Sequence, residues 1–129
     1  MQKIDDHLIF SASDLVHFME CRHLSALDRL DLEVPMERAA DSEEAELIQT
    51  RGYAHEKAYL QKAIQEAGSY IDINSVGNTR AEKVAATLQA MEQGIPLIYQ
   101  ATFYQPPMIG YADFLRRDRK STRLNSSHV

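Results

Sequence analysis

The chain has 129 residues, enough for one domain or the opening part of a larger one, since a single core is usually built from roughly 100–200 residues. Its hydrophobic share of 44% and charged share of 26% are ordinary for a globular protein, and no apolar run approaches the roughly 20 residues of a membrane span. One cysteine excludes an internal disulfide and agrees with a reducing, cytoplasmic setting, while a net charge of −5 is a poor footprint for nonspecific nucleic-acid binding.

The charge is uneven. From Arg116 onward there are five basic residues against one acid, and removing these from the totals leaves nine basic and 18 acidic residues, a net charge of −9. The body is therefore acidic, and any dealing with DNA must rest on a localised site. Residues 1–7 carry Asp5 and Asp6 in place of a basic region and an apolar stretch, and do not read as a signal peptide.

Ser11 or Ser13 is placed to cap a first helix running to about residue 30. In it Leu15, Val16, Phe18, Met19, Leu24, Leu27 and Leu30 recur at helical spacing and leave Asp14, Glu20, Arg22 and Arg29 for solvent. Residues 31–41, with Pro35 and mixed charges, read as a connection. A second helix is predicted over residues 42–67 through Leu47, Ile48, Ala54, Ala58, Leu60, Ala63 and Ile64; Gly68 ends it and Gly52 weakens it.

Ile71 and Ile73 suggest a short strand within residues 69–76, followed by turn chemistry at Gly77 and Asn78. Thr79 and Glu82 form a T-x-x-E capping box for a third helix through Val84, Leu88 and Met91 to Gly94. Residues 97–104 are rich in β-formers, Gln105-Pro106-Pro107 breaks the run, and residues 108–115 resume it, which reads as a hairpin. This order of elements predicts an α/β domain with helices packed on a sheet.

Asp113 lies within Met108-Ile109-Gly110-Tyr111-Ala112-Asp113-Phe114-Leu115, where an ionised carboxylate is costly to bury unless paired, hydrogen-bonded or bound to a metal. The plainer alternative is an edge-strand aspartate pointing into water, and the segment alone favours it. His55 lies on the second helix in Arg51-Gly52-Tyr53-Ala54-His55-Glu56; a neutral imidazole is a common metal ligand, and Gly52 one turn earlier leaves room for another segment. Taken alone, His55 reads as a surface histidine and Glu56 as an exposed helix charge. His17 and Cys21 are spaced i and i+4 with His23 nearby, which suits zinc; a partly buried cysteine flanked by solvent-facing histidines is the simpler reading.

Together, Gly52-Tyr53-Ala54-His55 on a helix and Gly110-Tyr111-Ala112-Asp113 on a later strand resemble the first two active-site motifs of RecB-family nucleases, within the PD-(D/E)XK, restriction-endonuclease-like superfamily. The wording is closer still to one branch of bacterial RecB-like nucleases: Ser13-Asp14-Leu15, Glu20-Cys21-Arg22-His23-Leu24, and Ile98-Tyr99-Gln100-Ala101-Thr102-Phe103 before the Asp113 strand. The resemblance spans about residues 11–115.

The resemblance implies a truncated PD-(D/E)XK core with an N-terminal helical region, in which His55 and Asp113 bind Mg²⁺ or Mn²⁺ for phosphodiester hydrolysis in DNA. It implies a DNA-repair type of setting, with a helicase as partner or fused domain. It also makes Cys21 a ligand of an iron–sulfur cluster in the intact parent only, because four thiolates are normally needed.

The family's acid-x-lysine strand, and its glutamine and tyrosine on a later helix, are not found here. Asp118-Arg119-Lys120 matches the spacing, but Arg116-Arg117 lack tight-turn residues and the following stretch is too polar for a buried central strand. Residues 119–129 look like a translated sequencing-adapter fragment, with a natural basic tail as the alternative. The expected organisation is residues 1–117 as the first part of a nuclease domain and 118–129 as a polar basic tail. The expected function is an inactive piece of a metal-dependent nuclease; the alternative is a non-catalytic α/β interaction or regulatory module. If the missing strands normally cover the hairpin, residues 108–115 form an exposed edge prone to pairing with another chain.

Overall fold

The computed structural model describes residues 1–118, which are mixed α/β, with helices and two small sheets. By contact they form two compact units: residues 1–54 with 103–111, and residues 55–102 with 112–118. The tail read as adapter-derived, residues 119–129, lies outside the described residues.

The first unit opens with a hairpin that the sequence reading did not anticipate. Strands β1 (Gln2–Ile4) and β2 (His7–Ile9) pair antiparallel, with Gln2 opposite Ile9 and Ile4 opposite His7. The turn residues Asp5 and Asp6 both have positive φ (51° and 63°), the conformation that a tight two-residue hairpin turn demands and that Asp tolerates better than most residues. Ile9 is buried, and Phe10 joins the Pro107–Ile109 segment: its N–H donates to Pro107 O (2.8 Å) and its carbonyl accepts from Ile109 N–H (2.9 Å).

The single first helix expected to reach residue 30 is instead two, α1 (Ala12–Glu20) and α2 (Arg22–Glu33), broken at Cys21 with φ −158° and ψ 108°. Cys21 N–H still closes α1 on His17 O (2.8 Å), while its own carbonyl opens α2 by accepting from Leu24 N–H (3.0 Å). Both halves keep helical periodicity, so one extended residue left no trace in the pattern.

The burial of α1 is also the reverse of the expectation. Asp14 is buried, whereas Leu15, Val16 and Phe18 are about half exposed and Met19 is 86% exposed. Asp14 is drawn in by its bonds: Oδ2 accepts from Ser11 N–H (2.8 Å) in a capping box, and Oδ1 from the N-terminal ammonium (2.6 Å). The third helix, α3 (Glu43–Ala67), begins with Ser42 Oγ accepting from Ala45 N–H (3.1 Å), and Glu43, Glu44 and Glu46 complement its dipole.

In the second unit the strand expected over residues 69–76 shrinks to β3 (Ile71–Asp72), because the Asp72 carboxylate accepts Asn74 N–H (3.0 Å) and caps the short helix α4 (Ile73–Val76). Helix α5 (Arg80–Gln93) forms as the sequence indicated. Thr79 and Glu82 make both bonds of the capping box, and Gly94 ends the helix at φ 71°, a left-handed conformation that suits glycine. The hairpin of β4 (Leu97–Gln105) and β5 (Met108–Arg116) also forms; the strand order is β3-β4-β5, with Asp72 of β3 parallel to and opposite Tyr99.

The core of this unit is Ala63, Ile73, Ala90, Leu97, Ile98 and Ala101, with Thr87 and Thr102. The Thr87 hydroxyl donates to Lys83 O (2.8 Å) and accepts the Thr102 N–H (3.0 Å), which satisfies a buried strand donor from a helix side chain.

Burial raises the Asp14 carboxyl, but its hydrogen bonds from the terminal ammonium and Ser11 outweigh this and hold it below its ordinary value. A depressed carboxylate stabilises the fold above its unfolded pKa of about 3.9, and that contribution disappears as pH falls through the folded value. Urea unfolding at stepped pH should show stability falling below about pH 4, with a shallower fall in Asp14→Asn; equal slopes would contradict this role for Asp14.

Candidate functional site

Glu56, Tyr59, Ala63 and Glu66 recur at spacings of three and four along α3 and so share one helix face. Each meets the second unit's own residues in a distinct way. Ala63 is fully buried, the Tyr59 ring stands edge-on to Phe114 with centroids 4.7 Å apart, and Glu66 pairs with Arg116 at 3.1 Å. Phe114 in turn lies 5.4 Å from Tyr99. This aromatic and ionic seam fixes the helix face against β4 and β5.

At one end of the seam, Glu56 Oε1 accepts two hydrogen bonds, from Tyr99 O–H (2.7 Å) and Gln100 Nε2 (2.8 Å). The same Gln100 nitrogen also donates to Asp113 Oδ1 at 3.3 Å. One amide thus joins an acid of α3 to the Asp113 singled out from the sequence.

Gln100 reaches both because its backbone is left-handed, φ 59°, in the middle of a strand. The period-two alternation of β4 breaks there, with Leu97, Ile98, Ala101 and Thr102 all buried. A left-handed non-glycine residue costs roughly 1–2 kcal/mol, while a hydrogen bond to a charged group contributes ~1.5–3 kcal/mol. The one bond from Gln100 to half-buried Glu56 is of the size needed to offset that cost.

Asp113 is exposed on β5, an edge strand of its sheet, as the plainer alternative has it, and its Oδ1 accepts from Gln100 Nε2 at 3.3 Å. His55 is exposed, next to Glu56 and four residues before Tyr59, which sets it at the margin of the same helix face. The structure thus brings Asp113 together with Glu56, not directly with His55. The room expected around Gly52 is not used: among the described residues nothing comes within 4 Å of a Cβ built there.

Cys21 is exposed, not partly buried, and the break at that residue removes the continuous helix on which its spacing to His17 was judged. Among the described residues, the one group of three metal-ligating side chains with atoms within 4.8 Å of one another is Asp14, His17 and Asp28, in the first unit. These side chains already have partners: the ammonium and Ser11 for Asp14, and each other for His17 and Asp28, at 3.2 Å.

Sequence reasoning missed Tyr99 and Gln100 as site residues and took Glu56 for a solvated charge. The signal that could have found Gln100 is its type, a long polar side chain in a run of strand-forming residues. The groups joined there are two carboxylates, an amide and a phenol.

No protein family, curated protein or solved structure matches this chain. Among the described residues no helix is long and apolar enough to cross a membrane.

The hydrogen bond to Glu56, followed by burial, raises the Tyr99 phenol above its ordinary value. Glu56→Gln should therefore lower the Tyr99 titration toward about 10, as read by ultraviolet difference spectroscopy against a Tyr99→Phe blank. An unchanged titration would break the Glu56–Tyr99 link.

Proposed function

We propose that this chain is the N-terminal part of a RecB-like nuclease of the PD-(D/E)XK superfamily, whose intact parent hydrolyses DNA phosphodiesters with Mg²⁺ or Mn²⁺. The observation that carries the reading is the joining of Glu56 and Asp113 through one amide, because it unites the helix of the first motif with the strand of the second. The motif resemblance at Gly52-Tyr53-Ala54-His55 and Gly110-Tyr111-Ala112-Asp113 supplies the chemistry that this convergence supports.

In this reading Asp113 and His55 hold the cation, and Glu56 lies beside them as a further carboxylate. A cation held there would supply Lewis-acid polarisation of the phosphodiester. Tyr99 keeps Glu56 oriented, and the Tyr59–Phe114 contact keeps α3 on the strand that carries Asp113. The acid that would complete the metal site and the lysine two residues on that would orient the attacking water are not among residues 1–118, so the reading assigns activity to a longer parent and none to this chain alone.

A second reading, a non-catalytic interaction module, is favoured by the exposed Leu15, Val16, Phe18 and Met19 on α1. It requires no cation at Asp113. A chain extended through an acid-x-lysine strand should cleave DNA in Mg²⁺, and His55→Ala or Asp113→Asn should reduce cleavage by at least the roughly 10–100-fold that loss of a metal site's outer partners costs. Cleavage indifferent to both substitutions, or none with intact residues, would remove the nuclease reading.

A further inference from the structure

The one group of three metal-ligating side chains brought together among the described residues lies in the first unit, whereas Asp113 belongs to the second. Asp14 and His17 stand three residues apart on α1 and so share a face, and Asp28 meets them from α2, beyond the extended residue Cys21. A carboxylate and an imidazole at i, i+3 are how helices present ligands to a metal inside a bundle. His17 Nδ1 and Asp28 Oδ2 are 3.2 Å apart, close to the roughly 3.3–3.5 Å between two ligands of one tetrahedral Zn²⁺. The Asp14 carboxylate is divided between two tasks. Its Oδ2 accepts from Ser11 N–H and Oγ, an anchoring that suits a metal ligand, and its Oδ1 already holds a cation, the Met1 ammonium at 2.6 Å. Burial sets the group apart from a solvated acidic patch: the Asp14 and Asp28 side chains are 8% and 15% exposed, while His17 at 41% leaves a way in.

We propose that Asp14, His17 and Asp28 bind one Zn²⁺, which ties α1 to α2 across the break at Cys21. The inference is independent of the nuclease reading. Sequence spacing grouped His17 with Cys21 and His23; the fold keeps His17 but gives it two carboxylates as companions, because the backbone leaves the helix at Cys21. One nitrogen and two oxygens with a fourth position open to water make an ordinary zinc set, and the imidazole favours Zn²⁺ over Mg²⁺ or Ca²⁺. The ligand atoms lie within 4.8 Å of one another, so the ion also relieves the cost of holding two like charges close together. Zn²⁺ takes Asp14 Oδ1 from the ammonium, which returns to water, and the Ser11 bonds remain on Oδ2.

The test titrates the 129-residue chain with Zn²⁺ against a chromophoric chelator, and with Co²⁺ as a coloured substitute. One equivalent should bind. His17→Ala and Asp28→Asn, which leave the Ser11–Asp14 cap intact, should each weaken binding about tenfold or more. Cys21→Ser and His23→Ala should bind like the wild type, and the Co²⁺ complex should lack a thiolate charge-transfer band. Saturating Zn²⁺ should raise the melting temperature of the wild type but not that of His17→Ala. Binding lost in Cys21→Ser or His23→Ala overturns this ligand set. Binding that survives both His17→Ala and Asp28→Asn marks an adventitious ion only, and no binding by the folded chain ends the proposal.

Discussion

One glutamine amide, Gln100 Nε2, donates to carboxylates carried by two elements, Glu56 on α3 and Asp113 on β5, and the Tyr99 hydroxyl donates to Glu56 beside it. Much of the surrounding structure follows from that constraint. β4 accepts a left-handed residue in mid-strand, and the ring contacts of Tyr59, Phe114 and Tyr99 hold helix to sheet beside it. The arrangement needs no overall positive charge, which agrees with the acidic composition of the chain.

Local signals were legible in the sequence wherever one residue type does one physical job. Thr79 and Glu82 mark the start of α5 because their side chains satisfy the helix's free N–H groups, and Gly94 marks its end because it enters the left-handed region cheaply. The paired prolines at 106 and 107 separate β4 from β5 because neither offers a backbone donor. Signals failed where one residue decides between equal patterns. The extended backbone at Cys21 divides a periodic stretch into α1 and α2, and the Asp72 carboxylate turns a strand into α4 after two residues. β1 and β2, at three residues each, are too short for alternation to show.

The candidate site was partly legible for a related reason. Asp113 stands out as an acid in an apolar strand, and His55 was reached through motif resemblance. Glu56 looked like any solvated helix charge, since its value comes from Tyr99 and Gln100, 43 and 44 residues later in the chain. Asp14 shows the same limit in the opposite direction. It was assigned to solvent by helical periodicity, but it is buried because its carboxylate completes a capping box and meets an ammonium, whereas the apolar Leu15 and Met19 face outward.

The most direct measurement is anomalous diffraction from Mn²⁺-soaked crystals of the chain extended through an acid-x-lysine strand. The account predicts a manganese peak held by Asp113 and His55. A peak at Asp14, His17 and Asp28 in its place, or no ordered manganese near Asp113, would contradict it.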